Sequence, residues 1–128
     1  MGERKNKREV VPRETVIRKL EEVIRHLNKN MPIDSAYLFG SYANGRPKSY
    51  SDVDVAVVSP EFGKNYIDET VFLMDAFHGT GLMVEPHVFT RDEYKEATEG
   101  TFLYDEVLRK GIVLLRSSLM DSARTLAT

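Results

Sequence analysis

The chain contains no cysteine. Without thiols it has no disulfide framework, no thiolate nucleophile and no zinc–thiolate centre. It also lacks a strong charge of either sign, since 18 Lys and Arg stand against 20 Asp and Glu for a formal net charge of −2. That balance offers none of the broad basic face on which duplex-binding proteins rely. No apolar run approaches the roughly 20 residues that a membrane-spanning helix needs. The N-terminus is charged and no apolar h-region follows it, so no secretory signal is expected. Repeats and low-complexity tracts are missing too. These exclusions lead to the expectation of a cytoplasmic protein, with neither membrane nor duplex nucleic acid among its partners.

What is present suits one globular domain with a real core: 128 residues, 41% apolar and 30% charged. Residues 1–13 are polar, mostly basic and aperiodic, and read as a flexible basic tail. Over residues 14–29 the positions Ile17, Leu20, Ile24 and Leu27 fall three and four apart, the stripe of an amphipathic helix. Asn30, Met31 and Pro32 stop it. Short apolar runs over 35–39, 51–58 and 82–89 predict strands. A helix over 66–78 is announced by Asn65 and Asp68 as a cap and closed by Gly79 and Gly81. Thr90 and Glu93 have capping-box spacing and start a short helix. Residues 101–110 predict another, ended by Gly111, and 112–115 can add an edge strand. The expected domain is 14–116, followed by a tail over 117–128. This order predicts an α/β (α+β) fold, a sheet with helices packed on one face.

The stretch from Gly40 to Val58 carries the chemistry. Residues two apart on a strand project to one face, so Asp52 and Asp54 point together and Val53, Val55 and Val57 point the other way. The valines read as core, which leaves the aspartates on the open face. Two carboxylates about 7 Å apart on a rigid strand can coordinate Mg²⁺, a hard cation that takes oxygen ligands. Asp-x-Asp alone also marks ordinary solvated strand ends. Gly40 and Ser41 change its weight. Gly40 allows close backbone approach and an unusual turn, and Ser41 opens a helical turn whose N–H groups and hydroxyl can hold phosphate. Arg46 and Lys48, in the loop before the aspartates, can neutralise triphosphate charge or simply be solvated.

The spacing of Gly40-Ser41, ten residues and Asp52-x-Asp54 resembles the signature of the DNA polymerase β-like nucleotidyltransferase superfamily. The run from Tyr37 to Gly45, with Ser51-Asp52-Val53-Asp54-Val55, is most similar to its small MNT-type ("minimal nucleotidyltransferase") members. The resemblance implies a mixed sheet backed by helices. It also implies transfer of a nucleoside monophosphate from ATP or another NTP to a hydroxyl, with two Mg²⁺ ions. Gly40, Ser41 and Arg46 would then contact the nucleotide. The family has a third carboxylate on a neighbouring strand, and Glu85 is the candidate. Period-two alternation puts Met83, Glu85, His87 and Phe89 on one face of that strand and Val84 and Val88 on the other. Asp52, Asp54 and Glu85 would be the metal ligands and catalytic residues. The chain departs from the family pattern at Glu85, where Asp is usual, and at Asn44, where Arg is common. His87 shares the face of Glu85 and can touch substrate, although a lone strand histidine is more often structural or solvated.

Size adds a further expectation. A domain this small supplies phosphate grip and metal ligands but little to enclose an acceptor, so a partner chain or a second copy is expected to complete the cleft. By the same resemblance the partner is a small helical HEPN-type toxin, with this chain as its antitoxin and the partner as acceptor of AMP. Two other functions remain open: a non-catalytic module that neutralises its partner by complexation, and nucleotidyl transfer to a small molecule.

Overall fold

The structure is a computed structural model that describes residues 10–47 and 52–117. The remaining parts of the expected tails, residues 1–9 and 118–128, and the loop residue Lys48 lie outside the described residues. Helix α1, Arg13–Asn30, therefore takes in the last residue of the expected basic tail. Its buried stripe is Val16, Leu20, Ile24 and Leu27. The stripe begins at Val16 rather than at Ile17, one residue earlier than the spacing suggested. A four-stranded sheet is built from β1 (Ser35–Phe39), β2 (Val53–Ser59), β3 (Val84–Thr90) and β4 (Ile112–Arg116) in the order β3-β2-β1-β4.

The connections explain the mixed character. β2 returns antiparallel to β1, as β4 does, whereas β3 runs parallel to β2. A parallel neighbour needs a crossover, and α3 (Tyr66–Phe77) provides it. The expected cap forms, with the Asn65 side chain accepting from the Asp68 N–H at 3.0 Å. Pro86 sits on β3, at one edge of the sheet, and β4 forms the other edge. Proline is tolerated on edge strands because its missing N–H costs no ladder bond there.

Pairing aligns residues in rows across the strands. On one face, Leu38 lies beside Val55 and Pro86, and Ala36 lies beside Val57 and Val88. α1 and α3 cover this face, and with it they form one continuous apolar cluster. On the other face the rows are Phe39–Asp54–Glu85 and Tyr37–Ala56–His87. Helices pack on the first face as expected, and part of the second face is covered as well. Helix α4 (Arg91–Lys95), the turn after it and the π-helical segment Leu103–Leu108 bring Tyr94, Ala97, Leu103 and Val107 over Tyr37, Phe39, Ala56 and Val58. The cause is visible in β1, which is apolar at every position after Ser35 and buried throughout. A strand apolar on both sides needs cover on both.

Local chemistry holds that second cover in place. The Thr90 hydroxyl accepts from the Glu93 N–H at 3.0 Å while the Glu93 carboxylate accepts from the Thr90 N–H at 2.7 Å, completing the expected capping box. Arg91 donates two bonds, of 2.8 and 2.9 Å, to the buried Asp34 carboxylate just before β1. This forked pair fixes orientation as well as distance. Gly111 lies against the carbonyl oxygens of Val107 and Leu38, where a Cβ would not fit.

Candidate active site

The second cover stops short of one end of the sheet, and the acidic residues stand there. β1 ends at Phe39, and Gly40 turns the chain with φ 80° and ψ −151° into helix α2, Ser41–Asn44. That positive φ suits glycine. Space demands it as well, because a Cβ on Gly40 would collide with the Asp54 carboxylate. The Ala43 and Asn44 N–H groups both donate to the Gly40 carbonyl at 3.0 Å. The N–H groups of Ser41 and Tyr42 begin the helix and have no acceptor within it.

Parallel pairing places Glu85 directly beside Asp54. His87 lies one row further in, beside the small Ala56, and its Nε2 is 3.2 Å from Asp54 Oδ1. One donor atom from each of Asp54, Glu85 and His87 falls within 4.8 Å of the others. Both members of the His87–Asp54 pair are about a quarter exposed, at 27% and 24%. Two carboxylates this close repel unless something neutralises them. Oxygen and nitrogen donors converging at the accessible end of a sheet fit a divalent cation.

Asp52 is placed differently from expectation. It precedes β2 and is exposed, and it is not one of the three clustered residues. It lines an adjoining cleft of about 580 Å³ together with Glu85 and His87. Tyr66, Met74, Phe77 and Met83 provide apolar wall on the α3 side. The Glu69 carboxylate positions the start of this wall by accepting from the N–H groups of Gly63, Lys64 and Asn65 at 3.0 to 3.2 Å. Burial works to raise the Glu69 carboxyl, but those backbone donors outweigh it and hold the group below its ordinary value. Arg46 is exposed in the turn after α2, its backbone N–H donating to the Ser41 carbonyl at 3.0 Å.

Two contributors escaped sequence reasoning. His87, for which a substrate contact and a structural or solvated role are both open from sequence, joins the acidic pair, held edge-on to Phe39 at 4.8 Å and stacked near Phe102 at 6.4 Å. The signal was its alternation with Glu85. Arg13, assigned to the tail, donates from Nη1 to the Ala43 carbonyl at 3.2 Å and braces α2. Beginning the helical stripe at Val16 would have drawn it into α1.

A family model described as a nucleotidyltransferase domain matches residues 17–114. No curated protein matches the chain in sequence. Among solved structures, a nucleotidyltransferase candidate from Sulfolobus solfataricus is similar with a TM-score of 0.59 and 16% identity, over 84% of this chain and 86% of that one. A toxin–antitoxin with AMP-PNP gives 0.54 and 22% identity, over 87% of this chain and 82% of that one. A mutant of the toxin–antitoxin MntA-HpeT gives 0.51 and 20% identity, over 83% and 80% respectively. At these identities the structural likeness establishes the fold.

Proposed function

The chain belongs to the nucleotidyltransferase domain family, and on that premise we propose that it moves AMP from ATP to a hydroxyl of a partner protein, the toxin of a toxin–antitoxin pair. The observation that carries the reading is the convergence of Asp54, Glu85 and His87 beside the Gly40–Ser41 turn. Residues 14–116 would form the catalytic domain. Gly40, Ser41 and Arg46 would contact the triphosphate, the first two through backbone N–H groups and a hydroxyl. Asp54 and Glu85, with Asp52 from the cleft side, would hold Mg²⁺. When bound, the cation supplies charge neutralisation at the phosphates and acidifies an attacking hydroxyl.

The bond changes are simple. The acceptor oxygen bonds to the α-phosphorus, the bond to the β-phosphate oxygen breaks, and pyrophosphate departs. Glu85, which lines the cleft, would receive the acceptor proton. Gly40 keeps the phosphate turn close to Asp54, so turn and carboxylates act as one rigid unit.

A protein acceptor is supported by the surface beside the cleft. Ile67 is 70% exposed and Met83 67%, with Val71, Phe72 and Met74 also exposed on α3. Exposed apolar surface of this kind marks interaction sites. Two of the similar folds come from toxin–antitoxin structures, one of them with AMP-PNP. A helical HEPN-type partner is the specific expectation, and no helix among the described residues is long and apolar enough to cross a membrane.

The test is to recover the protein with its partner from its native source and incubate the complex with α-labelled ATP and Mg²⁺. The partner should gain label and the mass of one nucleoside monophosphate. Equal labelling by Asp54→Asn protein would refute catalysis. The same apolar surface motivates a second reading, neutralisation by complexation alone. Neutralisation that survives alanine at both Asp52 and Asp54, without label on the partner, would favour it.

A further inference from the structure

We propose that His87 is a direct ligand of the cation held by Asp54 and Glu85, and that this nitrogen makes the site favour Mn²⁺ over Mg²⁺. The inference rests on the reading that the cluster holds a divalent cation and adds which donors and which metal. Its ground is geometric. His87 Nε2 and not merely the ring faces Asp54 Oδ1, at 3.2 Å, and the donor atoms of all three residues lie within 4.8 Å. Two ligands on one such cation sit at most about 4.2 Å apart, so closure requires small side-chain adjustments only.

The imidazole is also held in place. Phe39 meets it edge-on at 4.8 Å with an interplanar angle of 64°, and Phe102 lies nearly parallel at 27°. The partner of His87 on the neighbouring strand is the small Ala56. Beside an ionised carboxylate, which only accepts, a hydrogen on Nε2 would donate to Asp54. To bind a cation through Nε2, the neutral ring would carry its hydrogen on Nδ1. Mg²⁺ takes oxygen ligands and sheds water reluctantly, whereas imidazole suits first-row transition cations. Mn²⁺ accepts carboxylates and also binds nitrogen, so it satisfies the whole donor set.

The experiment adds Mn²⁺ alone to the purified protein. Electron spin-echo spectra report any directly bound nitrogen, and calorimetry gives Mn²⁺ and Mg²⁺ affinities for wild type, His87→Ala and His87→Gln. The expected result is nitrogen coupling in wild type, needing no variant. In the variants the coupling disappears and Mn²⁺ affinity falls by more than about 100-fold, beyond the loss typical of removing a ligand's outer-shell partner, while Mg²⁺ affinity falls less. Bound Mn²⁺ without nitrogen coupling overturns the proposal and leaves the cation reading standing. Equal losses for both cations also overturn it, because they assign His87 to orienting Asp54. Mn²⁺ binding that is absent, or unaffected by Asp54→Asn, overturns both this inference and the cation site beneath it.

Discussion

The two faces of the sheet are built from the same strands but finished differently. Toward α1 and α3, the rows through Val55 and Val57 are apolar and one cluster runs from Leu20 through Val55 to Phe77. Toward α4 and the π-helical segment, packing covers Tyr37, Ala56 and Val58, then stops before Asp54 and Glu85. One alternating strand serves both purposes, since Val53, Val55 and Val57 anchor β2 while Asp54 is left free for chemistry. The lesson is that the site's rigidity comes from the opposite side of its own strand. A carboxylate pair is kept together against its repulsion by a core it does not touch.

Variants of the two faces should therefore separate stability from activity. The largest effect on stability is expected at the closed face. Leu20→Ala removes a fully buried side chain and should cost about 2–5 kcal/mol, read by denaturant unfolding, with transfer per folded molecule preserved. Loss of transfer ahead of unfolding would break the separation. Gly40→Ala lies where the faces meet in consequence. It forces a non-glycine residue to φ 80° and a Cβ into the Asp54 carboxylate. About 1–3 kcal/mol of strain is expected, together with a loss of transfer larger than that destabilisation explains. Normal transfer by the Gly40→Ala protein would show that turn and carboxylate do not act together.

The smallest effect is expected at Glu69, which shapes the cleft wall. Its folded-state carboxyl is lowered from the ordinary 4.5. It therefore contributes stability that is present above 4.5 and lost as pH falls through the folded value. Thermal unfolding of Glu69→Gln should lie below wild type at neutral pH, and the gap should close in acid. A gap that is constant with pH would assign the effect to lost packing.

Much of this was legible in the sequence wherever the signal is local. The Asn65 cap, the Thr90–Glu93 capping box, the Gly40 turn and the alternation that sets Glu85 apart from Val84 and Val88 each depend on neighbours within a few residues. What could not be read depends on pairing between distant segments. His87 meets Asp54 across 33 positions, and Arg91 meets Asp34 across 57. The parallel register of β3 decides the first, and the docking of α4 decides the second. Asp52 shows the limit of alternation itself, because it lies just before β2 begins, and the strand rule no longer fixes where it points. The covered part of the second face was hidden because Tyr94, Leu103 and Val107 come from elements whose own sequences do not say which side of the sheet they will take.

The central claim is that the uncovered end of the second face is where the nucleotide reacts. Its most direct test is label transfer from α-labelled ATP to the copurified partner by Asp54→Asn, measured beside wild type with unfolding temperature as control. The account predicts transfer reduced by more than about 100-fold, beyond the usual loss for a partner of a metal ligand, at an unfolding temperature equal to or above wild type. Transfer at the wild-type rate would contradict it.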